Sequence, residues 1–243
     1  MQTLSVISMN PYEKLIARKR KWTPVQTTAG KLTEGAEDTI KRALALRCLE
    51  LPVGEFISNS LKGDIPEEAR TLLEMNITDE ENHDVALNYA SAAIGHDAQA
   101  EKEARAIQKA WEDHPDHTIV KAMVLERSIF FTILPFFRAF GDAGLRTTSA
   151  DISRDEQIHV ATNSLVCAQL GLTPSPSLDK LRKATVSWLY QPLQGDEKLS
   201  KKFWVDSSDR LMYQGKAPEL SFTKSARMPA FFEHSNVNLP QYA

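Results

Sequence analysis

The sequence predicts an all-α protein, built as a four-helix bundle around a dinuclear metal site with additional helices, and three observations carry that expectation. Apolar residues recur at helical spacing along most of the chain, and no run shows sustained period-two alternation between turn residues. Two Glu-x-x-His pairs occur, Glu80 with His83 and Glu156 with His159. Residues three apart share one helix face, so each pair presents a carboxylate and an imidazole together. A bundle completes such a site with one lone carboxylate from each of two further helices. Glu126 fits one of those roles, and Glu50 or Glu55 the other.

From the N-terminus, residues from Asn10 to Lys21 read as a short amphipathic helix that stops near Trp22-Thr23-Pro24, where proline disfavours continuation. After a polar Thr- and Gly-containing loop, the next helix starts around Glu34 and turns Ile40, Leu44, Leu46 and Leu49 inward. Pro52 and Gly54 are expected to disturb it just after Glu50. Lys62-Gly63-Asp64-Ile65-Pro66 is a clear break, and Pro66 suits the first position of a long helix that reaches Ile94 and bears Glu80 and His83. A shorter helix spans Asp97 to Trp111. The next runs from His117 to Gly141 or Gly144, with Glu126 in its first half and a kink expected at Pro135.

Thr147 to Gly171 forms the helix of Glu156 and His159, with Gly171 as its stop. Leu178 to Tyr190 is a further helix, and another is expected around Glu197 to Tyr213. Residues 1–215 are thus expected to form the helical domain and residues 216–243 an irregular tail. No solenoid-type repeat is present, although the two Glu-x-x-His helices hint at a pseudo-twofold bundle.

A formal net charge of -3 gives no global electrostatic reason to bind nucleic acid, and Arg18-Lys19-Arg20-Lys21 reads as a solvated helix end. Cys48 and Cys167 lie in apolar helical stretches, which suits buried thiols in a reducing, cytoplasmic compartment. No apolar run is long enough to span a bilayer, and the N-terminus has no signal-like pattern, so no membrane association is expected.

Carboxylate and imidazole ligands together suit divalent iron and manganese, and four carboxylates offset the charge of two such ions. In the simplest grouping, Glu156 and His159 reach one ion while Glu80 and His83 reach its neighbour. Ile129, Phe130, Phe131, Ile133, Leu134, Phe136, Phe137 and Phe140 would wall the cluster off from water.

The chain also resembles the small, radical-generating β subunit of class I ribonucleotide reductase, a ferritin-like dimetal-carboxylate family. Arg154-Asp155-Glu156-Gln157-Ile158-His159 is similar to the family's Arg-Asp-Glu-x-x-His helix, with Leu125-Glu126-Arg127 at a family-like distance before it. Glu13-Lys14-Leu15-Ile16 followed by Trp22-Thr23-Pro24 is similar to the family's helix and Trp-x-Pro element. The likeness extends from about Tyr12 to Gly171.

This resemblance implies six metal ligands, Glu50, Glu80, His83, Glu126, Glu156 and His159, with Glu50 favoured over Glu55 because it precedes Gly54. It implies two metal ions per chain, as manganese with iron, two manganese or two iron. It also implies that Trp22 and Asp155 connect the cluster, through His83, to a large catalytic subunit, and that the chain is a homodimer. Tyr242 is the candidate C-terminal relay and Tyr213 the runner-up. Leu87 stands where the family carries its radical-bearing tyrosine, so the oxidising equivalent is expected to reside on the metals. The short chain suggests a compact, virus-borne version. Two other functions are compatible with the motifs. One is a self-contained dimetal oxygenase or oxidase, since Glu80-Glu81-Asn82-His83 resembles a desaturase helix; the other is a non-enzymatic metal-storage protein.

Overall fold

The computed structural model describes residues 10–222. Every regular element among them is helical, apart from an isolated antiparallel bridge between Gln194 and Ser200. Helix α1 (Pro11–Ile16) opens with a reciprocal cap, in which the Asn10 side chain accepts from the Glu13 N–H and the Glu13 side chain from the Asn10 N–H. It ends well short of the expected Lys21. Four consecutive cations offer no apolar face to bury, and outside the helix Lys19 turns inward to pair with Asp79.

Helix α2 (Glu37–Ala45) places Glu37 and Asp38 in its first turn, where the helix dipole favours acids. A 3₁₀ turn, Leu46–Leu49, then redirects the chain into α3 (Glu50–Ser60). The expected disturbance after Glu50 therefore lies one turn upstream. Pro52 sits in the first turn of α3, where its missing N–H had no intrahelical partner to lose. Helix α4 (Glu67–Ile94) begins after Pro66, which stands at the cap, and stops at Gly95, whose φ of 98° only glycine adopts freely. Asp97 caps α5 (Ala98–Glu112) at its start. Buried Lys121 donates to the Trp111 and Glu112 carbonyls at its end, both at 3.0 Å.

Helix α6 (Thr118–Leu125) passes through a π turn (Glu126–Phe130) into α7 (Phe131–Phe140). The departure from α geometry thus falls N-terminal to Pro135, at the turn that begins with Glu126. Ser128 and Thr132 donate their hydroxyls to the carbonyls of Val124 and Ile129, at 2.6 and 2.8 Å, within that stretch. Helix α8 (Ala143–Gln169) starts four residues before the expected Thr147 because Asp142 caps it, accepting the Leu145 N–H at 2.8 Å. The same carboxylate accepts the Gly30 N–H at 2.7 Å and ties the long loop after α1 to this corner. Helices α9 (Pro176–Leu189) and α10 (Lys201–Gln214) follow.

Helices α3, α4, α8 and α6 form a closed ring of packed neighbours, α3 on α4, α4 on α8, α8 on α6 and α6 on α3. Within it α4 and α8 run antiparallel, since Asp79 lies opposite His159 and His83 opposite Asp155. Outside the ring, α9 and α10 close an aromatic cluster on α7, in which Phe136 meets Tyr190 at 5.6 Å and Trp204 at 5.1 Å. Two of the phenylalanines expected to wall the metals, Phe136 and Phe140, serve this second layer instead and turn toward Trp204.

After α10, a 3₁₀ turn at Pro218–Phe222 buries Leu220 against the core. The rest of the expected tail, with Tyr242, lies outside the described residues. No helix among the described residues is long and apolar enough to cross a membrane. Both cysteines are free; burial pushes the Cys48 thiol up to about 11 and the Cys167 thiol up to about 12.

Candidate metal centre

The 28-residue span of α4 carries Glu80 and His83 across the middle of the ring, and α8 brings Glu156 and His159 against them. Glu50 enters from the first turn of α3, and Glu126 from the junction of α6 with the π turn. All six side chains are at most 1% exposed. Glu55, the alternative to Glu50, faces solvent, because five helical residues rotate it off the buried face.

The donors form two groups, Glu50 with Glu80, His83 and Glu156, and Glu80 with Glu126 and His159. Within each, one atom per residue lies within 4.8 Å of the others. His83 Nδ1 is 3.7 Å from Glu50, 3.5 Å from Glu80 and 3.4 Å from Glu156. His159 Nδ1 is 2.9 Å from Glu80 and 3.6 Å from Glu126. The expected division, with each Glu-x-x-His pair serving its own ion, is not what the helices build. Glu80 belongs to both groups, and Glu156 joins His83 across the α4–α8 interface.

Nine inward-facing atoms bear on whether these residues suit a metal. Both oxygens of Glu50, of Glu80 and of Glu156, one of Glu126, and Nδ1 of each histidine are buried without a well-formed hydrogen bond. Such atoms are costly to bury unless something charged satisfies them. Carboxylate and imidazole donors are common ligands of divalent metals, so this cluster can hold a metal ion.

The outward-facing nitrogens are held by a second carboxylate pair. His83 Nε2 lies 3.3 Å from Asp155, and His159 Nε2 lies 3.0 Å from Asp79. Each aspartate immediately precedes the glutamate of its own helix and serves the histidine of the other. This arrangement fixes ring orientation and directs Nδ1 inward. Asp155 also accepts the Trp22 Nε1–H at 2.6 Å, and the Trp22 ring stacks 6.2 Å from the His83 ring. Asp79 instead pairs with Lys19, whose Nζ lies 3.5 Å from His159 Nε2. Asn163 donates to Glu126 at 2.7 Å. Sequence reasoning missed Asp79, Lys19 and Asn163. The signal for Asp79 was present, since Asp-Glu-x-x-His occurs twice.

Leu87 is buried one turn beyond His83, and Tyr89 reaches the surface. Tyr213 is exposed and donates to Asp179 at 2.6 Å. Comparison with protein-family models, curated proteins and solved structures finds no match for this chain.

The metal-free cluster holds protons that a metal must displace. Burial, reinforced by Glu156 and Glu80 and opposed by His159, pushes the Glu126 carboxyl up to about 8. Burial opposes charge on both histidines, yet the surrounding carboxylates outweigh it and raise them well above the usual imidazole range. A carboxyl raised in this way keeps its proton in the folded protein between its ordinary range and about 8, and ligation requires its loss. Metal affinity is therefore expected to rise with pH up to about 8, by roughly tenfold per pH unit for each proton released, and to go on rising above that while the raised histidines still hold protons. Competition against a chelator across this range measures it; a flat profile would contradict the assignment of Glu126 as a ligand.

Proposed function

We propose that this chain is a small subunit of a class I ribonucleotide reductase, with a ferritin-like bundle. Its dinuclear site would supply the oxidising equivalent with which a large catalytic subunit reduces ribonucleotides. The observation that carries this reading is the continuous contact from the half-buried Trp22, through Asp155, to His83. A metal-storage protein has no use for such a line, which joins a readily oxidised indole near the surface to a metal ligand.

A manganese–iron, dimanganese or diiron pair, when bound, supplies one-electron oxidising power drawn from oxygen or superoxide. The residues of the chain do the rest. Glu50, Glu80, Glu126 and Glu156 neutralise the ions, and Asp155 and Asp79 orient the imidazoles. Trp22 would pass an electron inward from the partner, and Asp155, which accepts its N–H, would hold that proton in place during the transfer. Leu87 has no oxidisable group, so the side chain at that position would not take up the oxidising equivalent. Tyr242, outside the described residues, would relay between the subunits, and the protein would act as a homodimer.

A self-contained oxygenase needs a substrate cavity at its metals. The apolar cavity of about 380 Å³ walled by Phe131, Leu134, Pro135, Leu211 and Leu220 includes none of the six donors in its lining, and the cavity of about 300 Å³ that does reach one, Glu80, carries the carboxylates of Glu55 and Glu81 in its wall. Metal analysis after loading with Fe(II), Mn(II) or both, with electron paramagnetic resonance after exposure to oxygen or superoxide, tests the reading. Two ions per chain, a coupled dimetal signal, no tyrosyl radical and turnover only with a large subunit are expected. Oxygen-dependent product formation without a partner selects the oxygenase, and oxidation of iron without product or partner-dependent turnover selects storage.

A further inference from the structure

We infer that a window between α3 and α4, opened by Gly54, is the inlet through which divalent cations reach the candidate metal centre. The inference rests on the metal-binding reading of that centre. A surface cavity of about 300 Å³ lies between the two helices, with Gly54, Glu55, Ser58, Ile77, Glu80 and Glu81 in its wall. Glu80 is 1% exposed and belongs to both donor groups, so the floor of this cavity is a ligand shared by both metal positions. Both Glu80 oxygens are buried without a well-formed hydrogen bond.

Glycine is what leaves the gap. A Cβ at position 54 would lie 3.5 Å from Glu80 Cβ and 3.7 Å from Glu80 Cγ, covering the stem of that side chain. Glycine is otherwise disfavoured inside a helix, where alanine would stabilise it. At the rim stand Glu55 and Glu81, both exposed. Neither side chain has an ion-pair or hydrogen-bond partner among the described residues, so their charge is free to act on an approaching cation. Glu55 thus finds a role although α3 turns it away from the ligand set.

Charge elsewhere agrees with this assignment. On the His159 side, a cavity of about 390 Å³ is lined by Arg18, Lys19, Arg20 and Arg154; Lys19 and Arg154 are paired with Asp79 and Asp151, and Arg18 and Arg20 repel a divalent cation. Carboxylates at the mouth of a cleft, here Glu55 and Glu81, focus the field and raise cation on-rates.

The test follows Co(II) uptake by the metal-free full-length chain in stopped-flow absorbance, with Co(II) per chain determined at the end point. In the double variant Glu55→Gln, Glu81→Gln, uptake is expected to slow about tenfold at low salt and to lose most of its ionic-strength dependence. Gly54→Ala is expected to slow uptake equally at every ionic strength. Both variants should reach the wild-type end point. Wild-type rates in both variants would overturn the inlet while leaving the metal centre standing. A lowered end point would overturn it too, since these residues would then hold the metal or the fold rather than the path. Failure of the wild-type protein to bind Co(II) would instead remove the centre itself.

Discussion

Glu80→Ala is expected to abolish metal binding at both positions, whereas Glu50→Ala and Glu126→Ala each weaken one. Glu80 alone belongs to both donor groups; Glu50 appears only beside His83, and Glu126 only beside His159. Structural zinc sites with four protein ligands gain about 10–16 kcal/mol, roughly 3 kcal/mol per ligand, and on that scale the loss of one ligand costs on the order of a hundredfold in affinity. Losing a shared carboxylate applies that penalty twice and removes the charge that lies between the two imidazoles. Although burial pushes the Glu80 carboxyl upward, His159 and His83 hold it well below the usual carboxylate range, so this is the acid that stays ionised in the metal-free cluster. Elemental analysis after Mn(II) or Fe(II) loading and gel filtration gives the metal per chain, with circular dichroism as the check on folding. A folded Glu80→Ala protein with wild-type metal content would show that the two groups do not share a ligand.

Why the ligands were legible and their partners were not follows from how each is encoded. Glu-x-x-His is a local pattern, and helical geometry alone puts both side chains on one face, so α4 and α8 announced themselves. Glu126 was visible because its helix was plain from its apolar run. The choice between Glu50 and Glu55 depended on which face of α3 meets α4, a fact of packing that five residues of sequence do not contain. Asp79 is the instructive miss. Its partner His159 lies on another helix, and only the antiparallel register of α4 against α8 turns two adjacent Asp-Glu pairs into crossed supports for opposite histidines. Lys19 was hidden for a related reason. A basic run reads as a solvated helix end, and nothing local says that one of its four cations leaves the helix to pair with Asp79. The π turn at Glu126–Phe130 escaped because Pro135 marks a disturbance in α7, whereas the departure from α geometry falls N-terminal to it.

In Trp22→Phe, metal loading is expected to stay at the wild-type level while turnover with a large subunit falls to background. Phenylalanine keeps an apolar ring beside His83 but removes the N–H that Asp155 accepts at 2.6 Å. It also replaces an indole with a benzene ring, which gives up an electron far less readily. Asp155 still faces His83 Nε2 at 3.3 Å, so the imidazole keeps its orientation and the ligand set is not touched. Asp155→Asn is the contrasting variant. It disturbs the support of a ligating histidine, and such changes lower metal affinity or activity by roughly 10–100-fold. Were Trp22 only a packing residue, its replacement would produce no more than a partial loss of that kind, with metal content and turnover declining together. Loss of turnover at full metal content separates electron transfer from support, because no structural role of Trp22 would spare the metals and remove the activity. Normal turnover in a fully loaded Trp22→Phe protein would instead break the proposed line between the cluster and a partner, and with it the main reason to prefer a reductase subunit over a self-contained oxidase.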